Sequence, residues 1–212
     1  PDAPLPAGGK KGVFERAAAD LSRVPPPGPA AAEDEVRGYV ACRLRLAALY
    51  LTRGRVGDPA LDALGGYTEA LKVADDVLAK IPAFDALTEG AGADKKPNLD
   101  GLELTYQGLD IRTRALYLRG KALVDADKLD EAAAAITPAV EAVARSGALF
   151  DARMRQWNGG EGDPGDDEAT AAQKKKVAAL AAAIDESRRN VLMAGFKLRA
   201  VQGKKDDAVA LL

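Results

Sequence analysis

The stretch ALYLRGKALVDADKLDEAAAAI, residues 115–136, decides the fold. Its first half carries apolar residues at helical spacing, and a polar run at residues 126–128 interrupts the pattern. A second helical run follows, rich in alanine, whose small side chain lets helices approach closely. The stretch therefore predicts two helices joined by a tight turn, the first over residues 99–125 and the second over residues 129–145.

The rest of the chain has the same helical periodicity and no alternating pattern of strand length. Alanine makes up about a fifth of the residues, far above ordinary usage. Gly54 is expected to end the second helix, and Pro138 to kink or end the helix after the quoted turn. Further helices are predicted at residues 13–24, 33–53, 67–80, 148–157 and 166–202, with another starting at residue 206. The sequence thus predicts an all-α protein of antiparallel helical hairpins.

The composition argues against most catalytic and nucleic-acid-binding functions. Lysine and arginine number 30 and aspartate and glutamate 32, giving a net charge of −2 without the basic excess typical of nucleic-acid partners. The chain has no histidine, the commonest general base and transition-metal ligand. Its single cysteine, Cys42, lies in an apolar helical run typical of a buried packing residue. We therefore expect a non-enzymatic protein with no cofactor, no metal site and no nucleic-acid partner.

Two segments resemble tetratricopeptide (TPR) repeats, and a third resembles them in part. The first contains Leu46-Ala47, Tyr50, Gly54, Tyr67-Thr68-Glu69-Ala70, Ala74, Val77 and Pro82. The second contains Gly120, Leu123, Leu129-Asp130-Glu131-Ala132, Ile136 and Ala139. The third contains Gly195, Leu198, Gly203 and Asp206-Asp207-Ala208. The spacing between segments is about twice the family period, and Arg119 stands where the family has a large apolar residue. The alternative reading is a generic alanine-rich helical bundle.

The resemblance implies a short, irregular TPR-like α-solenoid that acts as a protein-interaction scaffold or adaptor within a larger protein or assembly. The alternative is a mainly structural, self-assembling helical spacer without a separate ligand. In this family the first helix of each hairpin lines a concave groove that binds a protein or peptide. By resemblance, the groove residues here are Arg114, Tyr117, Lys121 and Asp125 of the second hairpin and Leu44, Ala48 and Leu51 of the first.

The first-hairpin part of that groove is apolar, so an open groove there would expose a hydrophobic patch. We therefore expect it to be covered, either by the amphipathic helix at residues 13–24 or by a partner helix. The acidic loop over residues 161–168 lacks the alternating ligand pattern of an EF-hand, and its last residues are expected to cap the following helix instead.

The chain is expected to divide into a flexible Pro/Gly-rich segment at residues 1–30, with one short helix, and a helical domain at residues 31–212 that continues beyond residue 212. No stretch approaches the roughly 20 apolar residues of a membrane span. A chain that begins with Pro1 is compatible with a cytoplasmic location, or with the periplasm or cell envelope if a leader has been removed. Rich alanine, glycine and arginine usage favours a bacterial source.

Overall fold

The computed structural model describes residues 9–28, 31–56, 62–80, 88–89, 96–97, 99–158 and 168–211. It has α-helices α1 (Gly9–Ser22), α2 (Glu33–Arg55), α3 (Ala63–Lys80), α4 (Leu99–Asp125), α5 (Leu129–Asn158), α6 (Glu168–Val201) and α7 (Lys205–Val209). Two antiparallel strands of two residues each, β1 (Thr88–Glu89) and β2 (Lys96–Pro97), precede α4. The expectation of an all-α fold is confirmed. None of the described helices has the length and apolar character needed to cross a membrane.

Most helix bounds agree with the sequence analysis to within a few residues, and α4 agrees at both ends. Three expectations were wrong. Gly54 does not end α2, which runs on to Arg55. Helix α5 stays one helix where two separate helices, over residues 129–145 and 148–157, were expected; it does not end at Pro138, and the kink expected there stays a prediction. Helix α3 begins four residues early because the Asp62 side chain accepts a hydrogen bond from the Gly65 N–H at 2.9 Å, as a helix N-cap does.

The helices pack in a regular order. Each of α1 to α6 packs against the helix that follows it in the chain, so α2–α3, α4–α5 and α6–α7 form three successive pairs. The first helices of these pairs also pack against one another in series, α2 on α4 and α4 on α6. Helix α4 is therefore the central element, with α2 and α3 on one side and α5 and α6 on the other.

The two turns within the later pairs share one hydrogen-bond pattern. After α4, the Lys128 N–H bonds the Leu123 carbonyl at 2.9 Å, and Asp127 has a positive φ of 58°. After α6, the Lys204 N–H bonds the Arg199 carbonyl at 2.9 Å, and Gly203 has a φ of 74°. Both turns are Schellman motifs, whose left-handed residue reverses the chain. They turn α4 into α5 and α6 into α7 in the same way.

The core follows this order, with one set of clusters on each side of α4. Between α2, α3 and α4 lie the buried side chains Tyr39, Val40, Leu44, Leu46, Ala47, Leu51, Tyr67, Ala70, Val73, Ala74, Val77, Ile111 and Ala115. Between α4, α5 and α6 lie Leu116, Leu123, Ala132, Ala135, Ile136, Ala139, Val143, Val191 and Leu198. Small residues thus stand beside large ones where the helices cross, as close helix packing requires.

Candidate interaction site

A broad groove lies between α2 and α4. It has a volume of about 610 Å³. On α2, Arg37, Ala41, Arg45 and Ala48 follow one another at intervals of three or four residues, which places them on one helix face. On α4, the lining residues are Leu104, Gln107, Asp110 and Ile111, which also recur at helical spacing. The groove therefore has an aliphatic floor and a rim that carries charge from both helices.

The rim on the α2 side is basic. Arg45 is exposed, and it forms no ion pair or hydrogen bond with any other described residue. Arg37 stands two turns earlier on the same face, half-buried and engaged in a polar interaction. Two arginines with a single alanine between them on the helix surface suit the recognition of carboxylates, which a guanidinium binds through paired N–H donors.

The carboxylate on the α4 side is already neutralised within the protein. Arg114 Nε donates to Asp110, at 3.0 Å from Oδ1 and 2.9 Å from Oδ2. The Ser187 hydroxyl of α6 donates to the same Oδ1 at 2.6 Å. Asp110 thus joins α4 to α6 while its charge is balanced by Arg114. Among the charged residues that line the groove, Arg45 is therefore the one whose charge no other described residue balances.

A second, narrower cavity lies on the other side of α4, where α4, α5 and α6 meet. Its volume is about 90 Å³. The walls are mainly apolar, and the rim carries hydroxyl, amide and carboxylate groups. The residues that line the cavity are Tyr106, Gln107, Leu109, Asp110, Thr113, Val143, Ser146, Leu180, Ala183, Ile184 and Ser187. Gln107 and Asp110 line both the groove and this cavity. These two residues therefore form the ridge that separates the two clefts.

The residues predicted on α4 fall into two groups. Lys121 and Asp125 are exposed, and neither forms an ion pair or hydrogen bond with another described residue. Arg114 is half-buried and engaged with Asp110, so it holds the ridge in place rather than presenting a free cation. Tyr117 is half-buried and packs against the buried cluster that includes Val191 of α6. None of the four lines the groove or the narrow cavity.

The predicted residues on α2 divide differently. Leu44 and Ala48 do line the groove, but Leu44 is also buried in a cluster with residues of α3 and α4. Leu51 is buried against Tyr67, Ala70 and Ala115. Helices α3 and α4 of the chain itself pack on both leucines, and Ala18 and Leu21 of α1 pack against the cluster that contains Leu44. Cover by a partner helix stays a prediction.

Helix α1 packs against another face of α2. Its Leu21 carbonyl lies 3.6 Å from the Cys42 Sγ, and Phe14 and Ala18 face Leu49 across a cleft of about 260 Å³. Cys42 and Leu49 lie seven residues apart on one face of α2, and Arg45 lies between them at helical spacing, so the α1 contact adjoins the groove rim. None of the described residues of α1 lines the groove itself. Residues 1–8, Pro82 and the acidic loop up to residue 167 lie outside the described residues.

Apart from Leu44 and Ala48, the sequence analysis did not identify the residues that line the groove and the cavity. The repeated arginine–alanine spacing on α2 was a usable signal for Arg37 and Arg45, and the four-residue separation of Asp110 and Arg114 was a usable signal for their ion pair. No sequence feature pairs Ser187 with Asp110, because the two residues are 77 positions apart in the chain. That hydrogen bond follows only from the packing of α6 on α4.

No catalytic constellation is found in the described part of the chain. No group of three or more histidine, cysteine, aspartate or glutamate residues there could hold a metal ion. The pKa of Tyr67 is raised, mainly because burial disfavours the phenolate, with a contribution from Tyr117 and an opposing one from Arg55. The Tyr67 hydroxyl donates to the Gly54 carbonyl at 2.8 Å, so this tyrosine stabilises the α2–α3 pair and faces neither cleft. No family model, curated protein or solved structure matches the chain significantly.

Proposed function

We propose that this protein is a non-enzymatic interaction scaffold of TPR-like architecture, and that its α2–α4 groove binds an acidic, extended peptide segment of a partner protein. The observation that carries the proposal is the groove itself. It lies between two first helices that pack in series, and exposed Arg45 stands at its rim. An aliphatic floor with a basic rim suits a peptide that carries carboxylates beside apolar groups.

The order of helix packing supports the TPR-like part of the proposal. In a helical-repeat array, each pair stacks on the next and the first helices line one common surface. The contacts of α2 with α4 and of α4 with α6 have this order. The Schellman turns after Asp127 and Gly203 are 76 positions apart, and a buried alanine follows each by five residues, Ala132 and Ala208. The irregular spacing suits a degenerate array.

The test is selection of a random dodecapeptide display library on the whole chain, followed by affinity measurement by fluorescence anisotropy. We expect enrichment of acidic peptides whose binding weakens as salt rises, since exposed charge pairs are screened. Arg45→Glu should abolish binding. Arg16→Glu is the matched control, because it makes the same charge change at an exposed position of α1 away from the groove. Absence of enrichment, or equal loss in both variants, would exclude the groove as the binding site.

The structural alternative has one observation in its favour. Met193, Val201 and Val209 near the α6–α7 end are apolar and 46%, 59% and 65% exposed. A self-assembling spacer would bury them between copies. Sedimentation of the wild type and of Val201→Asp decides the matter: a self-assembling protein forms concentration-dependent oligomers that the aspartate disrupts, whereas a peptide scaffold sediments alike in both forms.

A further inference from the structure

The narrow cavity between α4, α5 and α6 has the features of an anchor pocket. Its polar wall groups are largely satisfied by the protein. The Ser146 hydroxyl bonds the Ala142 carbonyl at 2.8 Å, the Ser187 hydroxyl bonds Asp110 at 2.6 Å, and the Tyr106 hydroxyl lies 3.3 Å from the Ser146 carbonyl. With these three groups already paired, the pocket offers an occupant mainly apolar contact.

The size of the cavity limits what it can hold. A volume of about 90 Å³ is smaller than the roughly 150 Å³ of a cavity that admits a benzene ring. It suits one branched or linear aliphatic side chain. The apolar walls come from Leu109, Val143, Leu180 and Ile184, which belong to three different helices. One side chain in this pocket would therefore contact all three helices.

The pocket adjoins the proposed peptide groove. Both clefts use Gln107 and Asp110 of α4 as a common wall, so a chain that crosses α4 at this ridge leaves one cleft and enters the other. A helix with its side chains is about 10–12 Å across, so a chain that passes over the ridge of α4 from one cleft to the other covers about that distance. An extended chain advances about 3.3 Å per residue, so about three residues cover that distance.

We infer that the α4–α5–α6 cavity binds a single aliphatic side chain of the same partner peptide, about three residues from the acidic residue that pairs with Arg45. This inference rests on the proposed function and adds a second specificity position to it. The partner motif is then an acidic residue and an aliphatic residue separated by two positions of little selectivity. The basic groove selects the first residue and the apolar pocket selects the second.

The peptides selected on the whole chain provide the probe. The motif should appear among them with the aliphatic residue at a fixed distance of about three from the acidic one. Replacing that residue by alanine in a synthetic peptide should weaken binding to the wild-type protein at least tenfold, since each methylene lost from an apolar pocket has a large effect. This comparison needs no protein variant, so it does not depend on how a substitution folds.

Two protein variants locate the effect. Ala183→Leu projects a larger side chain into the cavity and should weaken binding of the leucine-containing peptide at least tenfold relative to the wild type. This variant should bind the leucine-containing peptide and its alanine derivative with equal affinity. Ala182→Leu is the matched control, one residue earlier on an exposed face of the same helix, and should bind like the wild type. Thermal unfolding of both variants establishes that each is folded. Equal binding of the leucine peptide to Ala183→Leu and to the wild type would overturn the inference.

A third variant tests the apolar character of the occupant. Thr113 is 2% exposed, and its hydroxyl has no hydrogen bond to another described residue. Thr113→Val keeps the shape and removes this group, so an aliphatic occupant should bind at least as tightly as before. Weakening beyond threefold would show that the occupant hydrogen-bonds there and would overturn an aliphatic anchor. If the selection enriched acidic peptides without an aliphatic residue at a fixed position, the proposed function would stand and the anchor pocket would be excluded. If it enriched no peptides at all, both would be excluded.

Discussion

The helix pairs α2–α3 and α4–α5 place different side chains at corresponding points of their crossing. In the proposed TPR-like alignment, Ala47 and Ala74 of the first pair correspond to Gly120 and Ile136 of the second. Ala47 and Ala74 are both fully buried in one cluster. In the second pair, a Cβ at Gly120 would overlap the Cγ1 of Ile136. In the first pair, the two helices contribute side chains of equal volume to the crossing. In the second pair, Ile136 of α5 contributes nearly all of the side-chain volume.

This difference indicates that each helix crossing accommodates a fixed total side-chain volume, which either helix can supply. Close-packed interiors penalise both an excess and a deficit of volume. Gly120 is therefore tied to Ile136, and neither position can be interpreted alone. The resemblance to a repeat family depends on such pairs, because a small residue at one position is expected only when its counterpart is known.

The largest expected effect tests this coupling. Ile136→Ala should destabilise the protein by about 2–5 kcal/mol, because it removes a side chain that is only 2% exposed and leaves a cavity. Gly120→Ala alone should cost about 1–3 kcal/mol through overpacking. In the Ile136→Ala background, however, Gly120→Ala should be stabilising, because the double variant recreates the alanine pair of the first crossing. Urea unfolding of the four proteins measures the cycle.

The control for this cycle is Thr137→Ala, at the exposed position next to Ile136. It should shift the free energy of unfolding by no more than about 0.5 kcal/mol in either background. If Gly120→Ala destabilised the protein equally with and without Ile136, the two residues would be independent, and the comparison between the crossings would fail.

A second difference between the pairs is a hydrogen bond present only in the first. Tyr67 of α3 is 6% exposed and donates to the Gly54 carbonyl of α2 at 2.8 Å. The corresponding residue of the second pair is Leu129, which has no hydroxyl. Tyr67→Phe should cost about 1–3 kcal/mol, because it leaves a buried carbonyl without its donor. Tyr50→Phe is the control: that hydroxyl has no hydrogen bond to a described residue, and its removal should have a smaller effect.

The same tyrosine predicts a pH dependence. Burial raises the pKa of Tyr67 above the value of about 10 that it has in the unfolded chain. The folded state therefore keeps this proton to higher pH than the unfolded state does. The resulting stability is fully present below about pH 10 and is lost as the pH rises through the folded-state pKa. Between about pH 9 and 11, wild type should lose more stability than Tyr67→Phe; parallel curves would contradict the raised pKa.

Sequence periodicity was enough to predict the all-α class and the bounds of α4, since apolar spacing and turn residues are local signals. It wrongly divided α5 at residues 146–147, where packing against α4 and α6 outweighs the low helix propensity of Gly147. It also did not predict that α3 and α4 pack on Leu44 and Leu51. An apolar face on one helix does not say which neighbour covers it, and α3 and α4 reach these leucines only through the three-dimensional arrangement.

The smallest expected effect is the change in stability on replacing glycines that lie away from a helix crossing. It distinguishes them from a glycine that the crossing requires. Gly38 of α2 and Gly147 of α5 lie inside helices, and a Cβ at either would meet nothing within 4 Å. Alanine there should stabilise the protein by about 0.5–1 kcal/mol, because it reduces the backbone freedom that folding removes. Gly120→Ala, with the same chemical change, has the opposite expected sign because Ile136 occupies the space. A stabilising Gly120→Ala, or destabilising changes at the two open positions, would show that packing does not distinguish them. Opposite signs in one set of urea unfolding curves would show that the crossing itself, and not helix propensity, keeps glycine at residue 120.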